Sequence, residues 1–320
     1  MPGPIHGVKV LELAQIMAGP TCGLMLADLG AEVIKIEKIP GGDDTRRFLP
    51  PDINGEAAAF MQMNRNKKGM ALDLKQKEGV EVFKRLVKQA DVVIENFRKG
   101  TLEKLGIGYE ELKKINPRII LCEISGYGRT GPYADKGGFD LIAQGMTGLM
   151  SITGESKDRP PMKVGAPLTD ITAGILGATG VLAALVAREK TGVGQRVDTS
   201  LYEAGIVHTY WQSAIASATG ISPGPLGSAH PLTAPYQAFK TKDKWITVGA
   251  SNQNNWLNLL DALGRKDLQE NEKFNSNANR MANLPELQEI LKEELAKKTA
   301  DEWIKLFDAK GLPCGPINTI

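Results

Sequence analysis

The chain has 320 residues, of which 39 are Lys or Arg and 37 are Asp or Glu, giving a net charge of +2 with histidine neutral; 42% are apolar and 24% charged. That balance is globular: it excludes a disordered, collagenous or disulfide-stapled chain, and the lack of a basic excess speaks against duplex nucleic acid as a partner. The length allows two domains, and the one compositional excess, 35 glycines, signals tight turns or close backbone approach to a ligand.

In chain order, the first half alternates β-branched runs with amphipathic segments. Val8–Leu13 (VKVLEL) and Glu32–Glu37 (EVIKIE) read as strands separated by a helix that starts near Pro20. Val80, Val82, Phe83, Leu86 and Val87 recur at helical spacing before a strand at Asp91–Phe97 (DVVIENF). LEKLGIGYEELKKI reads as the next helix and PRIILCEIS, Pro117 to Ser125, as the next strand. Strands alternating with helices predict right-handed crossovers and a parallel α/β sheet, with ligands at the carboxyl ends of the strands. Ile171–Ala187 (ITAGILGATGVLAALVA) is uncharged, apolar on every side and too short for a membrane span, so it is expected to be a buried helix. A short strand and a helix follow in TGVGQRVDTSLYEAGI. The Pro- and Gly-rich Ile221–Pro231 then sets the expected boundary: a large domain over 1–220, with a helical linker near 200–220, and a smaller α+β domain over 221–320. In the second part APYQAFKTKDKWITVGAS predicts a hairpin turning near Thr241–Lys244. Helices built on Trp256, Leu259, Leu260 and on Leu287, Ile290, Leu291, Leu295 come after it.

Cys22, Cys122 and Cys314 are widely spaced and odd in number, which fits a reducing, cytoplasmic setting and no cysteine-based metal site; His6, His208 and His230 are equally scattered. The amino terminus has no basic region followed by an apolar core, so no secretory signal is expected. Gly126–Gly131 spells GxGxxG after a strand, yet PYADKGG follows it and is poor helix material, so the dinucleotide reading fails its structural condition. Asp170, in APLTDITAG, stands at the start of the apolar helix. It reads either as a helix cap or as a carboxylate kept ionised by the helix dipole and able to attack an acyl group. Lys35, Lys38, Arg46, Arg47, Arg65, Lys67, Lys68 and Lys75 read mostly as solvated charges, a subset of which could converge on phosphates.

The blocks LAQIMAGP, LADLGAEVIKIE, NRNKKGMALDLK, ADVVIENFRKGTLEKLG, ISGYGRTGPYADKGGFD, APLTDITAG and TGVGQRVDTSLYEA together resemble the family III CoA-transferases, the CaiB/BaiF group, in the family's order from Val8 to about Tyr236. The resemblance implies a Rossmann-like domain with a smaller α+β domain, coenzyme A as the ligand, no metal, and a soluble interlocked homodimer with no membrane or nucleic-acid partner. It implies that Asp170 is the nucleophile, passing through an aspartyl anhydride and an aspartyl-CoA thioester. The positions it assigns to CoA are Gln15, Ile16, Ala18, Lys38, Leu72, Asp73, Leu74, Lys75, Asn96, Phe97, Arg98, Lys104 and Lys136. Met17, Gly138, Phe139 and His230 are its candidates for the substrate acids, which the resemblance places among succinyl-CoA and dicarboxylates. Met17 and SAHPLTAPYQ stand where formyl-CoA transferases of oxalate metabolism have a glutamine and consecutive glycines, which argues against oxalate and formyl substrates. A 2-methylacyl-CoA racemase and a CoA-binding protein without turnover are the alternatives. Phe139 replaces the histidine of the racemase GHD motif and cannot relay a proton. Family members continue beyond the PCGPINT block, so the chain is expected to lack the segment that closes the ring.

Overall fold

The computed structural model describes residues 2–320. The chain divides into two compact units, Met1–Met150 with Lys163–Tyr210, and Ser151–Met162 with Trp211–Ile320. The sequence reading drew its boundary at Ile221; the helix Tyr210–Thr219 and an excursion from the first half instead go almost wholly with the second unit.

The first unit is built on six parallel strands: β1 (Lys9–Glu12), β2 (Glu32–Glu37), β3 (Lys67–Ala71), β4 (Val92–Glu95), β5 (Ile120–Ser125) and β6 (Arg196–Ser200). Their order is β3-β2-β1-β4-β5-β6. The chain runs outward from β1 to β3, then crosses to β4 on the other side of β1, and at such a switch point the flanking loops part to leave a crevice. Side chains alternate as a pleated strand requires. Val10 joins one core with Cys22, Leu26, Ala173 and Val181, while Leu11 and Leu13 join the core on the opposite face with Phe83, Val87 and Leu112.

Five helices frame the sheet: α1 (Ala18–Asp28), α2 (Lys77–Val87), α3 (Tyr109–Ile115), α4 (Asp140–Met146) and α5 (Leu168–Thr191). LEKLGIGYEELKKI is not one helix, because Gly106 takes a positive φ of 68° and ends the short Thr101–Lys104 turn before α3 begins. The helices α1 and α5 cross almost backbone to backbone. A Cβ on Gly174 would fall 2.6 Å from the Ala18 carbonyl oxygen, and one on Gly177 2.9 Å from Ile124 Cδ1.

Two expectations need correcting. The apolar helix is not buried all round: Ala173, Gly177, Val181 and Ala184 are inside, but Ile175, Thr179 and Val186 are exposed along the other side. By length and composition α5 could cross a bilayer, yet its inner face is part of the sheet's core. The strand β3 was not foreseen, since KKGMA is lysine-rich and half-exposed, as an edge strand can be.

The second unit carries an antiparallel sheet of β7 (Tyr236–Lys240), β8 (Trp245–Gly249) and β9 (Cys314–Pro316), turning near Thr241–Lys244 as expected. Helices α6 (Gln253–Leu263), α7 (Leu284–Leu295) and α8 (Ala300–Ala309) cover one face through Trp256, Leu260, Leu291, Trp303 and Phe307. Thr299 and Glu302 close the start of α8 with a capping box.

Because Gly174 has no room for a side chain, Gly174→Val is expected to lower the stability of the first unit by about 1–3 kcal/mol through overpacking. Urea unfolding followed by circular dichroism measures it, and an unchanged midpoint would mean that the crossing relaxes freely.

Candidate functional site

Two cavities open at the carboxyl edge of the sheet and share Phe97 as a wall. The first, about 230 Å³, is lined by Ile16, Met17 and Ala18 after β1, by Asn96, Phe97 and Arg98 after β4, by Lys136, Gly138 and Phe139, and by Asp170. The second, about 350 Å³, is lined by Gln15, Lys38, Leu72, Asp73, Leu74 and Lys75. Of the residues singled out in the sequence, Lys104 lines neither cavity, and His230 lies in the second unit. There its Nδ1 accepts the Leu232 amide at 3.1 Å, and its ring meets Trp211 and Tyr236 edge-on. A larger hollow of about 480 Å³ beside Lys9, Ile34 and Arg85 holds none of these residues.

Asp170 is the third residue of α5, and it is not the cap. The amide of Thr169 donates to Asp140 Oδ1 at 2.9 Å and its hydroxyl does so at 2.8 Å, so the start of α5 is held by a carboxylate at the first turn of α4. Gln144 Nε2 donates to Asp140 Oδ2 at 2.8 Å and fixes that carboxylate in turn. Asp170 is left with no hydrogen bond from any described residue. Nor is it simply kept ionised by the helix dipole: burial pushes its carboxyl up from 3.8 to about 7, and the charge of Asp140 adds to the effect. A half-buried carboxylate that no side chain donates to can act as an oxygen nucleophile whenever it is deprotonated.

Facing it is a second helix start. Met17 precedes α1, no side chain caps it, and Pro20 in its first turn has no N–H, so the α1 start stands uncapped with Ala18 at the cavity wall. The positive side chains around the cavities are free or lightly held. Arg98 lies along Gly137, where a Cβ would be 3.4 Å from its Nη2, and Lys136 stacks on Tyr133 at 3.9 Å. Lys38 donates to Gln15 Oε1 at 3.0 Å and Asp44 Oδ1 at 2.8 Å.

The GxGxxG segment is a loop. Its first glycine packs back to back with Gly138, a Cβ on Gly126 falling 2.7 Å from Gly138 Cα, and that contact forms the cavity floor. Arg129, in its middle, is buried between Glu95 and Glu123 and donates to the Phe97 carbonyl at 3.2 Å. The Phe97 amide donates to Glu95 Oε2 at 2.7 Å, so the shared wall is held at both of its peptide groups. Asp140 and Arg129 were missed in the sequence. Asp140 had one usable signal, an acidic residue opening a helix just after Gly137-Gly138. Nor are Lys35 and Lys67 solvated: both side chains are buried against Glu12, each at 2.8 Å. Among the described residues no group of three or more His, Cys, Asp or Glu side chains could hold a metal ion.

A switch-point crevice on a six-stranded parallel sheet, with a half-buried aspartate at a helix start and cations in strand-end loops, belongs to a recognised class. The sequence profile of CoA-transferase family III matches residues 5–320. The succinate–glutarate CoA-transferase of Agrobacterium fabrum is 40% identical over 323 residues, 99% of this chain and 80% of that protein. The acetyl-CoA:oxalate CoA-transferase of Acetobacter aceti is 38% identical over 98% of this chain and 81% of its own length. A crystal structure of a CaiB/BaiF family protein from Brucella suis, 42% identical, superposes with a TM-score of 0.87 over 100% of this chain and 85% of that one. The chain belongs to CoA-transferase family III. It is an enzyme, a CoA-transferase.

Because the folded pKa of Asp170 lies above its unfolded value of 3.8, the folded chain binds more protons there between about pH 4 and 7, and this contribution to stability is lost as pH rises through that range. Asp170→Asn is therefore expected to resist the rise better than the wild type. Urea midpoints of the two proteins, compared at about pH 5 and pH 7.5, should diverge; parallel values would place the Asp170 carboxyl in its usual range.

Proposed function

We propose that the chain moves CoA from succinyl-CoA to a dicarboxylate acceptor, with Asp170 carrying the covalent intermediates. The observation that carries this reading is the Asp170 carboxylate, without hydrogen bonds, in a cavity that also meets an uncapped helix start and the cations Arg98 and Lys136. The CoA nucleotide occupies the second cavity, its phosphates meeting Lys38 and Lys75 and its adenine resting on Leu72 and Leu74. Gln15 and Asp73 border it, and the pantetheine arm passes Asn96, Phe97 and Arg98 to reach Asp170.

The Asp170 oxygen attacks the thioester carbonyl, the carbon–sulfur bond of the tetrahedral adduct breaks, and CoA departs as the thiolate, leaving a mixed anhydride on Asp170. The uncapped start of α1, beside Ala18 in the same cavity, supplies amides for the oxygen that becomes negative in this step. The thiolate attacks the aspartyl carbonyl and releases the donor acid, leaving an aspartyl-CoA thioester. The acceptor carboxylate attacks that thioester and expels the thiolate again. The thiolate then takes the acceptor's acyl carbon, which frees the new CoA ester and restores the Asp170 carboxylate. No proton is consumed, and thioester energy is conserved throughout. Met17, Gly138 and Phe139 border the acyl groups. Phe139 is a hydrocarbon at this wall and offers no proton relay, which favours transfer over racemisation.

We further propose a homodimer. The exposed side of α5 presents Ile175, Thr179, Ala183 and Val186 as an open stripe, a surface that a second copy would cover.

Two measurements test these readings. Incubation with succinyl-CoA followed by hydroxylamine is expected to leave a hydroxamate on Asp170, found by peptide mass spectrometry. Absence of that product, with CoA exchange unchanged in Asp170→Ala, would sink the role given to Asp170; a panel of acceptors that includes glutarate and oxalate reads the specificity. Sedimentation equilibrium is expected to give twice the chain mass, and Val186→Lys to shift it toward one chain.

A further inference from the structure

The loop that joins β1 to α1 is held by side chains at four consecutive backbone groups, from the Ala14 carbonyl to the Ile16 amide. The Ala14 carbonyl accepts from Lys35 Nζ at 2.8 Å. The Gln15 amide donates to Asn96 Oδ1 at 2.9 Å, and its carbonyl accepts from Asn96 Nδ2 at 2.7 Å. The Ile16 amide donates to both oxygens of Asp43, at 3.1 and 3.2 Å. Ile16 itself sits at φ 69°, in the left-handed region that β-branched residues avoid. A strained residue persists only where its surroundings over-determine it, and such residues gather at functional sites. Ile16 lines the Asp170 cavity, two residues before the start of α1.

Asp43 is built into a buried chain of charges. Its Oδ2 pairs with Lys35 at 2.9 Å, Lys35 pairs with Glu12 Oε1 at 2.8 Å, and Glu12 Oε2 pairs with Lys67 at 2.8 Å. Lys67 donates on to the Pro20 carbonyl, in the first turn of α1, at 2.9 Å. Asp43 Oδ1 also accepts from the Thr45 amide and hydroxyl at 2.9 and 2.8 Å. Burial works to raise the Asp43 carboxyl, but Lys35 and Thr45 outweigh it and hold the group below its ordinary range, as a charged acceptor. Two acids and two lysines balance, so the network needs no outside ion. Buried ion pairs of this kind seldom stabilise a fold more than apolar residues of equal volume. Their use here is geometric: two of the four members bond the loop itself, and a third bonds the first turn of α1.

We propose, resting on the function assigned above to Asp170, that Asp43 is a positioning residue for acyl transfer: it holds Ile16 in the left-handed conformation and thereby sets the Met17–Gly19 backbone against the cavity. Were the Asp43 charge lost, Ile16 would relax toward negative φ and swing the peptide that follows it, carrying the helix start out of place. Glycine adopts positive φ without strain. An Ile16→Gly chain therefore does not need Asp43 to impose that conformation.

The test is a double-mutant cycle on the full chain, read as the rate at which succinyl-CoA labels Asp170. Asp43→Asn is expected to slow labelling by about tenfold in the wild-type background, and by less than about threefold in the Ile16→Gly background, because the strain to be restrained is gone. The dissociation constant for free CoA should change by less than about twofold in Asp43→Asn, since the cations stay in place. Thr45→Val, which keeps the charge network whole, should give a smaller loss that Ile16→Gly also suppresses, and it serves if Asp43→Asn does not fold. Equal losses in both backgrounds would overturn the proposal. Hydrogen exchange gives a reading independent of turnover: the peptide containing Ile16 should exchange faster in Asp43→Asn or Thr45→Val while peptides from β2 and β4 do not change. Exchange as slow as in the wild type overturns the proposal even if no labelling occurs at all, whereas absence of labelling in the wild type counts against the role of Asp170.

Discussion

Two helix starts can face one cavity only if the helices carry almost no side chain where they cross. The contact between α1 and α5 meets that condition through Gly174 and Gly177, which lie within repulsive distance of backbone and core atoms for any larger residue. Everything else at the site follows from that crossing. The uncapped start of α1 and the aspartate on the first turn of α5 meet at one cavity because their axes are so close, and the same proximity half-buries Asp170. The glycine content that marks the composition is in this sense a packing requirement before it is a matter of flexibility.

The charges then divide into two kinds. Glu12, Lys35, Asp43 and Lys67 neutralise one another inside the sheet's carboxyl edge, and Arg129 and Arg196 do the same with Glu95 and Glu123. These pairs set backbone and are finished. Asp170, Arg98 and Lys136 are left without such partners, and the cost of keeping them so is visible in the carboxyl of Asp170, driven upward by burial and by Asp140. A site that is pre-arranged for a charged ligand has to carry that imbalance while it is empty.

Much of the frame was legible because it depends on local pattern. Strands such as EVIKIE and the hairpin across Thr241–Lys244 were read where they stand, and the cavity loops were found at strand ends. What escaped depended on contacts distant in sequence. Asp170 looked like a cap because the residue that holds the helix start, Asp140, lies thirty positions earlier and is joined to it only in three dimensions. Lys35 looked solvated because nothing in its own strand announces Glu12 or Asp43. The apolar helix looked buried all round because composition cannot say which side of it the rest of the chain covers. The strand β3 was hidden by lysines that an edge position tolerates.

Phe97 belongs to both cavities and is fastened at its amide by Glu95 and at its carbonyl by Arg129. A molecule long enough to fill both sides is therefore gripped as a chelate across a rigid partition. Once one end is seated, the other searches only the volume allowed by its tether, at an effective concentration far above that of the free fragment. Separate halves of such a molecule gain none of this, so binding in the cavity of Lys38 and Lys75 raises occupancy of the cavity that holds Asp170.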